Sequence, residues 1–371
     1  MATKPRVLVA MSGGVDSSVA AALLVQQGYD CVGVTMKLFE DGAELPDRPC
    51  CSLDSTSDAR RVAQLLGIPH YVLNMVDHFG RDVIADFVQE YAEGRTPIPC
   101  VRCNTFTKFS DLVTKADAID AEFVATGHYA RAEGGRLLRG SDDAKDQTYF
   151  LWGIDRNVVP RLLLPIGNLT KPETRQIARN LKLPRVADKA ESQEICFVPG
   201  GDYVAILKRE LPADAPALIP GPFVLSDGTV VGEHEGFARY TIGQRKALPG
   251  GYRAPMFVVA IRAADRAVVI GPREELLGHG LVARGVSWLT DAPRVGDHVG
   301  VRVRHRAPIA PAEIIRLDAR EIEVALDEPV AAIAPGQSAV FYSGDVVLGG
   351  GFIAASRAAG TRRAPMPVLA S

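Results

Sequence analysis

The chain has 371 residues, 47% of them apolar and 23% charged, with a net charge of −2 at pH 7. That length accommodates two or three domains with a sizeable core, and the charge balance excludes a globally basic nucleic-acid binder while permitting a local basic face. No apolar run reaches membrane-span length, and Met1-Ala2-Thr3-Lys4-Pro5-Arg6 leads into a strand-like run rather than a signal peptide; the expectation is a cytoplasmic protein with no membrane partner, whose six cysteines are mostly reduced.

Residues 7–11, 31–39, 70–75 and 122–126 read as parallel strands, and residues 58–66, 78–91 and 106–118 carry helical spacing between them. This alternation predicts a doubly wound α/β sheet. Ligands in such sheets sit beyond the C-terminal strand ends, where Ser12–Ser18, Met36 and Gly127-His128 fall. Thr170-Lys171-Pro172-Glu173 opens a further helix, with Thr170 as its cap and Glu173 at capping-box spacing, running to about Leu181. Pro212, Pro216, Pro220 and Pro222 mark a linker. From Phe223 onward the pattern is short alternating strands, with hairpin tips at Asp227-Gly228 and Asp265-Arg266. A second β-rich stretch runs from about Leu281 to about Ile353. The predicted organisation is an α/β domain over 1–211, then two small β-barrel-like domains over 212–280 and 281–355, and a disordered tail over 356–371.

Ser12-Gly13-Gly14-Val15-Asp16-Ser17-Ser18 joins the first strand to a helix of small residues. Strand, glycine turn and helix together make a phosphate cradle. Gly13 and Gly14 let the backbone approach a ligand, and the first helical amides lack internal partners. Ser12, Ser17 and Ser18 add hydroxyls, and Asp16 can orient a metal or the turn. The lysine of a Walker A loop is absent.

Cys31 reads as core, and the adjacent Cys50 and Cys51 have no assigned role. Cys100-Val101-Arg102-Cys103 follows two prolines and precedes a helix entry, so a thiolate beside Arg102 is favoured. A lone C-x-x-C admits a zinc half-site, a redox pair or an iron–sulfur pair. No second C-x-x-C or H-x-x-x-H follows to complete a structural zinc site, and thioredoxin-like surroundings are missing. Cys196 by itself reads as core; with the C-x-x-C it becomes a candidate third thiol. The seven histidines show no metal-ligand spacing.

The glycine loop resembles the SGGxDS loop of N-type ATP pyrophosphatases, which adenylate an oxygen and release pyrophosphate. Further segments extend the resemblance to the tRNA-specific 2-thiouridylase family, over roughly residues 5 to 355. They are Pro99-Cys100-Val101-Arg102-Cys103-Asn104 with Lys108-Phe109, Ala125-Thr126-Gly127-His128-Tyr129-Ala130, residues 143–151, Ser192-Gln193-Glu194-Ile195-Cys196-Phe197, and Tyr240-Thr241-Ile242-Gly243-Gln244-Arg245-Lys246. The resemblance implies an adenylation domain followed by two β domains that help hold tRNA. It implies 2-thiolation of the wobble uridine of tRNAs for Lys, Glu and Gln: ATP with Mg2+ adenylates the C2 oxygen, sulfur replaces it, and AMP and pyrophosphate leave. The partners implied are tRNA and a cysteine desulfurase or sulfur-relay protein, acting with a monomeric enzyme.

Residue by residue, the resemblance places Ala10, Met11, Ser12, Gly13, Gly14, Val15, Asp16, Ser17, Met36 and Gly127 at the nucleotide. Cys196 would carry a persulfide and Cys103 would be its partner nucleophile or acid/base, the two ending as a disulfide. Ile98, Pro99 and Cys100 would meet the target base, and His128, Lys145, Asp146, Gln147, Arg304, His305 and Gln337 would contact tRNA. Arg302, Arg304 and Arg306 alternate and read as one strand face suited to phosphates. In one departure, the family's aspartate three residues before the first catalytic cysteine is here Cys100. Cys100, Cys103 and Cys196 would suit a three-cysteine [4Fe–4S] cluster with an open iron; the alternative is a cluster-free persulfide route. Two rival readings are a related ATP-dependent ligase or sulfurtransferase acting on a small molecule, and a non-catalytic RNA-binding iron–sulfur protein. The first needs no β-rich half, and the intact loop and thiols speak against the second.

Overall fold

The structure, a computed structural model, describes residues 4–40, 53–187 and 195–358. Cys50, Cys51, Ser192, Gln193, Glu194 and the tail from residue 359 lie outside them. The predicted α/β alternation is present. Strands β1 (Arg6–Ala10), β2 (Asp30–Lys37), β3 (His70–Asn74) and β4 (Phe123–Ala125) run parallel. The chain then makes an antiparallel hairpin, β5 (Ala130–Glu133) and β6 (Arg136–Arg139). It returns through β7 (Leu162–Leu163) to complete a sheet of order β3-β2-β1-β4-β7.

The two-residue period of a strand explains how this sheet is covered. Val7 and Val9 of β1 face one core with helices α1 (Val15–Gln26) and α2 (Leu53–Leu66). Leu8 and Ala10 face the other. There the chain packs two continuous helical rods. One is α3 (Val76–Phe79), a π segment Gly80–Ile84 and α4 (Ala85–Ala92); the other is α5 (Pro99–Arg102), a π segment Cys103–Lys108 and α6 (Phe109–Asp117). Helix α1 is buried on nearly all sides, as its run of Ser, Val, Ala and Leu requires.

The second rod corrects the sequence reading. It begins at Pro99, not near residue 106. Two prolines look like a stiffened loop, but Pro99 occupies the first helical turn, where its missing amide has no partner to lose. Helices α7 (Lys171–Asn180), α8 (Pro184–Ala187) and α9 (Tyr203–Glu210) follow. Helix α7 starts with the predicted capping box: Thr170 accepts from the Glu173 amide, and the Glu173 carboxylate accepts from the Thr170 amide at 2.7 Å.

Strands β8 (Gly221–Val224), β9 (Val230–His234), β10 (Phe257–Arg262) and β11 (Ala267–Gly271) form a sheet of order β10-β11-β8-β9. Both predicted hairpin tips lie between antiparallel strands here. Strands β12 (Leu277–Trp288), β13 (His298–Arg302), β14 (Ala310–Leu317), β15 (Glu321–Ala331), β16 (Ser338–Ser343) and β17 (Val346–Arg357) pair in the order β12-β15-β14-β13-β16-β17. Pairing of β12 with β17 closes them into a six-stranded barrel around Leu281, Val301, Ile314, Val324 and Phe341. Strand β17 runs to Arg357, two residues into what reads as tail. The hairpin strand β6 also adds to β17 through Leu138 and Val346, which no sequence pattern announces. No described helix is long and apolar enough to cross a membrane.

Candidate active site

Strand order reverses between β1 and β4, with β2 and β3 to one side and β7 to the other. In open α/β sheets the crevice at such a reversal is where ligands bind, and the glycine loop and Thr126-Gly127-His128 both open into it. Gly13 has φ +70°, and a Cβ there would lie 2.0 Å from the Ser55 carbonyl oxygen. A Cβ on Gly127 would lie 2.5 Å from the Ser17 amide nitrogen. Glycine at 13 therefore lets the loop meet the first turn of α2, and glycine at 127 lets the two loops meet. The serines brace the loop instead of pointing outward: Ser17 Oγ accepts from the Ser12 amide at 3.1 Å, and Ser18 Oγ donates to the Gly14 carbonyl at 2.8 Å. Ala10 and Met11 are buried at the end of β1, and Met36 is buried near the end of β2.

Asp16 lies in the first turn of α1. Lys171, from the start of α7, places its Nζ 2.8 and 2.9 Å from the two Asp16 carboxylate oxygens. The Tyr129 hydroxyl donates to Asp16 Oδ1 at 3.0 Å and lies 3.0 Å from Thr174 Oγ1. Lys171 is 8% exposed. Sequence reasoning missed it, although one signal was present. A lysine in the first turn of a helix opposes the helix dipole, which implies a specific carboxylate holding it.

Beyond β4, His128 Nδ1 lies 2.7 Å from Thr126 Oγ1. Burial, reinforced by the nearby Lys108 ammonium, pushes the imidazole down to about 3. Lys108 in turn donates to Asn104 Oδ1 at 3.0 Å, and Asn104 Nδ2 donates to the Phe150 carbonyl at 3.0 Å. Asn104 and Lys108 both belong to the π segment Cys103–Lys108, a type of turn that recurs at functional sites.

Cys100 is exposed in the first turn of α5, while Cys103, one turn on, and Cys196 are half-buried at the edge of one core. The neighbouring rod ties both regions together. Its Asp86 pairs with Arg102 at 3.2 Å, and its Phe87 packs against Phe197 with ring centroids 5.0 Å apart. This corrects the expected role of Arg102: its guanidinium is paired with Asp86 and lies 4.5 Å from the Phe106 ring, so it is not dedicated to a thiolate. Among the described residues no three His, Cys, Asp or Glu side chains gather as a metal would require. Cys100, Cys103 and Cys196 thus do not gather as an iron–sulfur ligand set here, and no acidic set for a resident divalent cation gathers among the described residues. A Mg2+ arriving with a triphosphate would be part of that substrate. Cys31 is buried in β2, and burial followed by the Asp30 charge pushes its thiol up to about 11, as befits a core residue.

The residues expected to meet tRNA separate into two groups. Asp146 turns inward: its carboxylate is fully buried, pairs with Arg302 Nη1 at 2.7 Å and accepts from the Thr148 hydroxyl at 2.8 Å. Gln147 exchanges bonds with Tyr129, its Oε1 accepting from the Tyr129 amide at 2.8 Å. Lys145 is half-buried beside them. The expected row of arginines is not formed. Strand β13 ends at Arg302, which is buried, and Arg304 and Arg306 are exposed in the following turn. The alternation fails because the strand ends at Arg302 and the chain turns, reaching φ +66° at Arg306. His305 lies against the Phe150 ring, centroids 4.6 Å apart. Together Arg139, Asp143, Arg302, His305 and Arg306 line a recess of about 360 Å³.

Gln337 sits elsewhere. Its side-chain amide donates to the Thr96 and Pro97 carbonyls at 3.2 and 3.1 Å, and the Thr96 amide donates to the Pro335 carbonyl at 2.9 Å. The barrel therefore grips the approach to Ile98, Pro99 and Cys100. The segment after Gln147 docks on the same barrel: Tyr149 Oη donates to the Ser338 carbonyl at 3.0 Å, and Trp152 Nε1 donates to Ser338 Oγ at 3.0 Å.

Comparison with known proteins gives three matches to family models. They are a tRNA methyl transferase HUP domain over residues 5–200, a tRNA methyl transferase PRC-barrel domain over 206–272, and an aminomethyltransferase beta-barrel domain over 278–353. The chain is similar to the tRNA-specific 2-thiouridylase MnmA of Geobacter metallireducens, 46% identical over 369 residues that cover 96% of this chain and 99% of that one. The protein of the same name from Solibacter usitatus is 46% identical over 367 residues, covering 94% and 98%. Among solved structures, NMN synthetase from Francisella tularensis overlaps 58% of this chain and 81% of that one at 19% identity and a TM-score of 0.35.

Proposed function

This chain belongs to the tRNA-specific 2-thiouridylase family, and from that membership we propose that it replaces the C2 oxygen of the wobble uridine in tRNAs for Lys, Glu and Gln with sulfur, in the cytoplasm and as a monomer. The observation that carries the reading is the glycine loop at the β1–β4 reversal, with the Cys100–Cys103 helical turn packed on the adjacent sheet face. A uracil C2 oxygen is a poor leaving group. Its attack on the α-phosphorus of ATP releases pyrophosphate and leaves a C2–O–AMP bond, and the first-turn amides of α1 face the charge that develops.

The terminal sulfur of a Cys196 persulfide, loaded by a cysteine desulfurase or a relay protein, attacks C2. AMP departs with the oxygen, leaving C2 joined through sulfur to Cys196. The Cys103 thiolate attacks the Cys196 sulfur, releasing the thiolated base and forming a Cys103–Cys196 disulfide, which a thiol reductant returns to two thiols. Cys100, exposed in the first turn of α5, faces the base, while Ile98 and Pro99 are buried beneath it and set where that turn begins. His128 and Lys145 lie towards the tRNA, as do the exposed turn of Arg304 and His305.

The test is incubation with ATP, a sulfur donor, a thiol reductant and unmodified tRNA for Lys, Glu or Gln, followed by nucleoside analysis. We expect 2-thiouridine with one AMP per base. Cys103→Ala and Cys196→Ala should each abolish it, and Cys31→Ala should not. A tRNA without 2-thiouridine, or a methylated nucleoside in its place, would overturn the proposal.

A further inference from the structure

The glycine loop carries a carboxylate where a triphosphate would approach. Asp16 stands in the first turn of α1, among the amides that attract anions, and a negative charge there works against them. The loop has no lysine of its own to offset it. The offset comes from outside the loop: Lys171, buried at the first position of α7, contacts both Asp16 oxygens at 2.8 and 2.9 Å. Among the described residues, three supports fix that ammonium in place. The Thr170 capping box sets the start of α7. The Lys171 amide donates to Asp142 Oδ2 at 3.1 Å. The Tyr129 ring, whose hydroxyl also binds Asp16, lies 5.7 Å from Nζ.

We infer that Lys171 is a positioning residue for the nucleotide site, acting through Asp16: it cancels the loop's own negative charge and so makes the cradle at α1 receptive to a nucleoside triphosphate. The inference rests on the reading of the loop as an ATP site. It assigns to a distant helix the compensation that a phosphate-binding lysine supplies within other loops.

The test is calorimetric binding of α,β-methylene-ATP to the full chain in EDTA, where no divalent cation can substitute for the ammonium. Lys171→Met should weaken binding at least about tenfold, and Lys171→Arg should stay within about threefold of wild type. The double variant Lys171→Met with Asp16→Asn, which removes both charges, should recover to within about threefold. Asp16→Asn alone removes the carboxylate charge from the cradle and should bind at least as tightly as wild type, a measurement that stands even if Lys171→Met fails to fold. Unchanged binding by Lys171→Met overturns the inference. So does a double variant as weak as Lys171→Met, because Lys171 would then act through the fold and not through charge. So, too, does weakened binding by Asp16→Asn alone. A wild-type chain that does not bind the analogue overturns the ATP reading itself.

Discussion

His128 shows how burial decides what a residue can do. Its ring stands beyond β4, near the Lys108 ammonium, and titrates at about 3 instead of near 6.5. Near neutral pH it is an uncharged imidazole that can share a hydrogen bond with a base but cannot offer a phosphate a positive charge. The unfolded chain takes up the proton first as pH falls, so the stability contributed by the neutral ring is complete above about 6.5 and is lost progressively towards about 3. Burial shifts His70, His234 and His305 in the same direction, so this acid sensitivity is shared. In proton NMR the His128 Cε1–H signal should stay fixed between about pH 8 and pH 5; a midpoint near 6.5 would show the ring to be solvated. Arg102 teaches the same lesson from the other side. It adjoins Cys103 in sequence, yet its charge is paired with Asp86.

At the scale of elements, α7 links local chemistry to the site. Thr170→Ala removes one half of the capping box and should cost about 1 kcal/mol in urea unfolding. Because Lys171 is the next residue, the same change should weaken binding of the ATP analogue. Lost stability with intact binding would show that Lys171 holds its place without the cap. The box was legible in four consecutive residues because its bonds are local. So were the strand–glycine–helix unit and the hairpin tips. What the sequence could not display are partners brought together from far along the chain. Lys171 and Asp16 are 155 residues apart, and Arg302 and Asp146 are 156 apart. No periodicity links them. The run Arg302, Arg304, Arg306 looked like a strand face because alternation was projected past the end of β13. The second helical rod was read as starting too late because Pro97 and Pro99 resemble a loop until Pro99 is seen in the first turn.

At the scale of the whole molecule, the barrel meets the N-terminal domain at several places, and one small joint lies beside the cysteines. Gly336 lies in the barrel turn that holds Thr96 and Pro97, with φ +89°. A Cβ there would come 2.7 Å from the Thr96 carbonyl oxygen and 2.8 Å from Glu90 Oε2. Gly336→Val should therefore push the barrel away from the segment leading to Cys100 and Cys103, with strain added by a branched residue at positive φ. The nucleotide crevice is built on other elements, the ends of β1 and β4 and the start of α7. The two functions should thus separate: binding of the ATP analogue should stay within about twofold of wild type, while 2-thiouridine formation should fall at least about tenfold. Calorimetry and nucleoside analysis on the same preparation decide the matter. Equal losses in both would mean that the variant has merely loosened the fold. No loss in either would mean that the grip on Thr96 and Pro97 does not position the thiols. A selective loss of sulfur transfer would make the closed barrel part of the catalytic geometry, since a strand-to-strand turn on one domain would be setting where the Cys103 helix begins on another.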